Sequence, residues 1–191
     1  MCNNCPMNDV TAAYIDAYCS IYRDMENNMT GINLTGSISQ NFINQMIPHR
    51  QAGIAMCENI LKYSDCHAVR CLAEIMINEQ KQSIADMQKI YDSCACFLNT
   101  DADNEYYQTC FNEISQNMFC CMRSAKTVDS VNADFLYEMI AHHAGAVRTA
   151  MNVMRYPIAP ALRSICCDII RMQNRQIEKM RSMLSGMGCM M

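Results

Sequence analysis

Apolar side chains recur every three or four positions in six separate stretches of this chain, and that period predicts six amphipathic helices. The first stretch runs from about Asn8 to Asn28 and carries Tyr14, Tyr18, Ile21, Met25 and Met29. The segment Thr30–Ser37, with Gly31 and Gly36, breaks it. A second helix is expected from an N-cap at Ser39 to about Lys62, with the seam Phe42, Met46, His49, Gly53, Met56 and Ile60. Pro48 lies inside that stretch and should kink the helix or mark its first turn. The short link Tyr63–Cys66 turns the third helix back antiparallel, and its seam is Val69, Leu72, Met76, Gln80, Ser83 and Met87, fading near Ser93. A fourth helix carries Tyr107, Phe111, Ile114, Met118 and Met122. A fifth, capped by Asp129 or Ser130, carries Phe135, Met139, His142, Ala146, Thr149 and Val153. Pro157 and Pro160 form a turn before a sixth, with Leu162, Ile165, Ile169, Gln173, Ile177 and Met180. No useful length alternates as a strand does, and the tail Ser185–Met191 reads as loose.

The last three stretches copy the first three. Asn41–Met87 aligns without a gap on Asp134–Met180, 93 residues further on. The identical pairs include Phe42/Phe135, Met46/Met139, His49/His142, Asn59/Asn152, Tyr63/Tyr156, Gln80/Gln173 and Met87/Met180. Such self-similarity at one offset is an internal duplication. No Pro- or Ser-rich linker divides the halves. The expectation is one domain over residues 1–191, all-α, built from two homologous three-helix repeats at 8–95 and 101–188 with two-fold pseudosymmetry.

Composition then narrows the chemistry. The formal charge is -4 and the pI about 5.5, with no basic stripe, which argues against nucleic acid as a partner. No apolar run approaches the roughly 20 residues of a membrane span. The start MCNNCPMNDV has neither a positive nor an apolar export region, so a cytoplasmic location is expected unless a leader has been removed, which would fit a secreted or periplasmic protein. There are 19 Met and 14 Cys. Thioethers and thiolates favour Cu(I) and similar soft ions, although Met also fills irregular helical cores.

The repeated polar residues fall on the seams. Met46 precedes His49 by three, and Met139 precedes His142 by three, so each pair shares a helix face; Met56 lies seven beyond His49 on the same face. Such a neutral, soft donor set suits Cu(I) better than Zn. The competing reading makes each imidazole a core group bonded to a neighbour, with Gln80 and Gln173 as candidate partners. His143 points about 100° away from His142, so both are not expected centrally on one seam, and its counterpart in the first repeat is Arg50. His67 beside Cys66 reads as a solvated turn pair. The cysteines do not follow the repeat; Cys2/Cys5 alone is a weak zinc motif, and Cys94/Cys96, Cys120/Cys121 and Cys166/Cys167 are open between thiols, inter-helix disulfides and soft-metal ligands. No Glu-x-x-His motif, Ser/His/Asp set or phosphate loop occurs, with Glu79 read as off the seam, so an enzyme is not expected.

The segments FINQMIPHRQAGIAM and LAEIMINEQKQSIADM, echoed by FLYEMIAHHAGAV and IIRMQNRQIEKM, resemble the bacterial family catalogued as domain of unknown function 305. The resemblance covers about Asn41–Ile90 and Asp134–Leu184. It implies a ferritin-like four-helix bundle, here from helices two, three, five and six with one and four alongside. Some family members bind copper through Met and His. By that analogy the metal ligands are Met46, His49, Met56, Met139, His142 and His143. Arg50 replaces the family's second His in the first repeat; Ala141 and Thr149 replace its Pro and downstream Met in the second. The combined expectation is a protein that binds Cu(I) for buffering or tolerance, with a homo-oligomer left open. The alternative is a metal-free structural or assembly protein with a Met-rich core and Cys cross-links.

Overall fold

The computed structural model describes residues 9–125, 127–128 and 130–187. Six helices occupy them: α1 (Asp9–Thr30), α2 (Ile38–Tyr63), α3 (His67–Cys94), α4 (Asp101–Arg123), α5 (Val131–Val153) and α6 (Pro160–Gly186). No strand occurs among the described residues. The six-helix, all-α expectation holds, with boundaries displaced by one or two residues.

Three local expectations change. The N-cap of α2 is Ser37, whose side chain accepts from the Gln40 amide. Ser39 lies inside the helix, fully buried, where its Oγ accepts from the Ala159 amide at 3.0 Å. Pro48 does not mark the first turn, because α2 runs from Ile38 to Tyr63 around it. Ser130 occupies the N-cap of α5 without a side-chain bond, while Asp134 accepts from the Val128 amide at 2.8 Å. Asp129, Cys2 and Cys5 lie outside the described residues, as does the end of the tail. Pro160 opens α6 at its first turn, where its missing N–H removes no helical bond.

The helices pair around a centre made by α2 and α5. α2 packs on α1 and α3, α5 packs on α4 and α6, and α2 crosses α5 directly. α1 and α4 are more than an outer layer. They bury Tyr14, Tyr18, Met25, Met29, Phe111, Met118 and Met122 in the shared core. Each of the six seams is buried along most of its length, as helical periodicity demands.

The duplication survives in three dimensions down to single hydrogen bonds. Asn59 Nδ2 donates to the Tyr14 carbonyl at 3.0 Å, and Asn152 Nδ2 donates to the Tyr107 carbonyl at 3.2 Å. Tyr14 meets Tyr63 edge-on at 6.0 Å, and Tyr107 meets Tyr156 edge-on at 5.9 Å. Asn41 Oδ1 accepts from the Thr35 amide just as Asp134 does from Val128. Tyr14 donates to Glu138 across the repeats at 2.5 Å, and Tyr107 donates to its counterpart Gln45 at 2.6 Å.

The buried apolar residues form two clusters rather than one. One contains Met56, Met76, Met118, Met139 and Met180, the other Met46, Met87, Tyr107 and Val153. Their members lie on opposite sides of the midpoints of α2 and α5, where His49 and His142 sit. A polar layer therefore separates two apolar ends.

Two glycines permit close approach at this centre. A methyl added at Gly145 would strike the Met118 side chain back to its Cβ, whereas one added at Gly53 would meet only the amide end of Gln80. Ala in a helix gains about 1 kcal/mol over Gly, while overpacking costs roughly 1–3 kcal/mol. Gly145→Ala should therefore lose up to about 2 kcal/mol, and Gly53→Ala should stay within about 1 kcal/mol of wild type. Urea denaturation of both variants checks the ranking, which fails if Gly53→Ala is the more damaging.

Candidate metal centre

The helical register puts His49 near the middle of α2 and His142 near the middle of α5, and the crossing of the two helices stacks their rings. The ring centroids are 3.8 Å apart with planes inclined by 23°. His49 Nε2 lies 3.3 Å from the His142 carbonyl, and His142 Nε2 lies 3.1 Å from the His49 carbonyl. A carbonyl only accepts, so both Nε2 atoms carry the proton and both rings are neutral with bare Nδ1 atoms. Both rings are at most 1% exposed.

His143 is also fully buried. It points away from the His49–His142 stack, as helix geometry requires, and it is buried because α5 is enclosed on that side too. Its Nε2 sits 2.6 Å from Gln176 Oε1, and Gln176 Nε2 donates in turn to Glu79 Oε2. With Glu79 ionised, the amide is oriented by that carboxylate, so His143 donates from Nε2 and its Nδ1 is bare. His142 Nδ1 and His143 Nδ1 then face each other across 3.5 Å, lone pair to lone pair. His49 Nδ1 is buried without a partner among the described residues. Glu79 thus acts in this layer, although its position looked remote from the α3 seam.

Burial sets the electrostatics. Desolvation lowers the His49 and His143 pKa values well below the usual imidazole range, reinforced by neighbouring His142, and brings His142 down to about 3. Desolvation also lowers Arg50 to about 10, which leaves it cationic at neutral pH. Glu138 is pushed up to about 8, chiefly by burial, and stays protonated against Tyr14. Glu79 is raised by desolvation, with Gln176 and Arg50 pulling it back.

The six expected ligands divide among these parts. His49, His142 and His143 come together in the layer. Met139, one turn before His142, belongs to one apolar cluster with Met56, and Met46, one turn before His49, belongs to the other. Gln80 and Gln173 do not bond the rings; the Gln80 amide has no partner at either end among the described residues. His67 begins α3 and pairs with Cys71 one turn on, its Nε2 at 3.5 Å from Sγ, rather than with Cys66. The eleven described cysteines are unbridged. Arg50, Glu79 and Gln176 are the participants that periodicity missed; for Arg50 the signal was its alignment with His143.

No three His, Cys, Asp or Glu side chains among the described residues form a ready-made metal cluster. Two neutral imidazole lone pairs in a dry setting, with a thioether a turn away on each central helix, fit a soft ion of low coordination number.

The shifted groups predict a peaked stability profile for the metal-free protein. An imidazole whose folded pKa is depressed binds its proton in the unfolded chain first, so its contribution is present above about pH 6.5 and is lost as pH falls below it. A carboxyl whose folded pKa is raised does the reverse, so the Glu138 contribution fades as pH rises from about 4.5 toward 8. Stability should climb from pH 4.5 to about 6.5 and decline above it. His142→Gln should reduce the acid-side slope by up to about 1.4 kcal/mol per pH unit, and Glu138→Gln should flatten the alkaline decline. Urea midpoints from pH 4.5 to 8.5 test both; an acid slope unchanged in His142→Gln contradicts the burial argument.

The comparisons with known proteins bear on this geometry. No curated protein matches the chain. Among solved structures, the chain is similar to one described as "CopM in the Ag-bound form (by soaking)", with 25% identity and a TM-score of 0.58, covering 81% of this chain and 98% of that one. The family described as Domain of unknown function (DUF305) matches residues 23–91 and 104–188, one segment in each repeat. With most of both three-helix units matched, the chain belongs to the DUF305 family, as a tandem of two copies.

Proposed function

We propose that this protein binds a soft monovalent metal ion, Cu(I) in the cell, for buffering or tolerance, and that it does so by ligation without catalysis. The observation that carries the reading is the approach of His142 Nδ1 and His143 Nδ1 to 3.5 Å in a buried layer. In the tautomer that Gln176 sets, the two lone pairs face each other. An added proton would charge the pair, which desolvation disfavours, and a weakly hydrated soft cation is the better guest.

His142 and His143 would hold such an ion, with His49 Nδ1 as a further nitrogen donor and Met139 and Met46 as the adjacent thioethers. Met56 stands further along α2 and would serve a second, sulfur-dominated position near Met76, where Cys57 Sγ is 4.0 Å from Met76 Sδ. The metal supplies the bonding; the protein supplies neutral donors, dryness and ring orientation. Gln176 and Glu79 hold His143 in the tautomer that leaves Nδ1 free. The silver in the similar CopM structure supports a soft-ion reading.

A second reading keeps the protein metal-free and structural. It is favoured by the reciprocal His49–His142 bonds to backbone, which join the repeats without any ion. Anaerobic Cu(I) titration of the full chain against a competing chelator separates the two, with exposed thiols alkylated beforehand. The metal reading expects high-affinity binding that weakens at least about tenfold in His143→Gln, with circular dichroism unchanged. Absence of chelator-resistant binding, or affinity indifferent to His143→Gln and His142→Gln, supports the structural reading instead.

A further inference from the structure

The same polar layer opens on its α3–α6 side into a cleft of about 270 Å³ lined in part by Arg50, Gln80, Ser83 and Gln173. Arg50, Gln80 and Gln173 are at most 3% exposed. Yet Arg50 Nε, both polar atoms of the Gln80 amide, Ser83 Oγ and Gln173 Oε1 have no partner among the described residues. Buried polar groups are bonded in the great majority of cases. Several orphans converging on one cleft, with a cationic guanidinium among them, describe a place prepared for an anion.

The duplication explains how the cleft arose. In the second repeat the equivalents of Arg50 and Ser83 are His143 and Gln176, which bond each other and fill their side. In the first repeat a longer cation faces a shorter hydroxyl, and space is left between them. Its apolar lining comes from Ile165, Ile169 and Met172, and polar side chains complete the rest of the wall. Glu79 and Asp86 stand at the cleft as carboxylates, while Asp168 is neutralised by Arg171 at 2.6 Å. Those acids repel a multiply charged anion more than a singly charged one. A guanidinium fork matches the planar carboxylate group in particular.

We propose that this cleft binds a small monocarboxylate, its head held by the Arg50 guanidinium and the Ser83 hydroxyl and its short apolar body lying on Ile165 and Ile169. The proposal is independent of the metal reading, because neither Arg50 nor Ser83 belongs to the imidazole set.

Butyrate is the probe, titrated into the ¹⁵N-labelled, metal-free full chain and followed by amide shifts. Saturable shifts at Gln80, Ser83 and Gln173 are expected, with neutral butyramide, sulfate and phosphate each weaker by at least about tenfold. Arg50→Met should weaken butyrate by a similar factor. Ser83→Leu should fill the cleft and abolish the shifts while the rest of the spectrum stays folded. The proposal is overturned by unsaturable shifts, by butyramide or sulfate binding as well as butyrate, or by an Arg50→Met variant with unchanged affinity.

Discussion

The two bonds exchanged between His49 and His142 hold this structure in register. Each ring donates to the backbone carbonyl of the other residue, and the rings stack in the space between α2 and α5. A helical carbonyl has a second lone pair after its intrahelical bond, so the exchange disturbs neither helix. Sliding α2 along α5 would break both bonds together and leave two buried donors unsatisfied, each costing about 1–3 kcal/mol. The exchange also decides the chemistry of the rings. With Nε2 committed to protonation, Nδ1 is left bare, and burial keeps it so.

A protein of this size could merge its apolar surface into one core. Here the layer through the middle divides it, and the repeats differ within that layer. Arg50 stands against His143, and Ser83 against Gln176. Away from it, the asparagine-to-carbonyl bonds and the edge-on tyrosine pairs are duplicated almost unchanged. Packing constrains both copies alike. The polar layer, once paired across the axis, leaves each copy free to carry different groups, and one half offers imidazoles where the other offers a cation.

Much of the fold was legible because period and duplication are local or linear properties. The seams of α2 and α5 were read residue by residue and all of them are buried. Misreadings occurred where a second element supplies the partner. Ser39 resembles a cap in isolation, but the Ala159 amide recruits it and Ser37 takes the capping role. His143 was placed off centre by helix geometry, which is right about its direction and silent about α6 waiting there with Gln176. Glu79 reads as off the seam and Arg50 as the residue in place of a second His, since only the packing of α3 and α6 around the layer reveals what they face.

The amino-acid order alone determined six helices, their twofold repetition, and the placing of one imidazole at the middle of each central helix. It could do so because periodicity and self-similarity need no knowledge of neighbours in space. Only the tertiary structure decided which nitrogen of each ring bears a proton, which histidine pair presents facing lone pairs, and that a buried guanidinium opens onto a cleft. Protonation and pairing depend on what lies within about 3 Å in three dimensions, and α2, α5 and α6 bring those atoms together from positions up to 127 residues apart along the chain (His49 to Gln176).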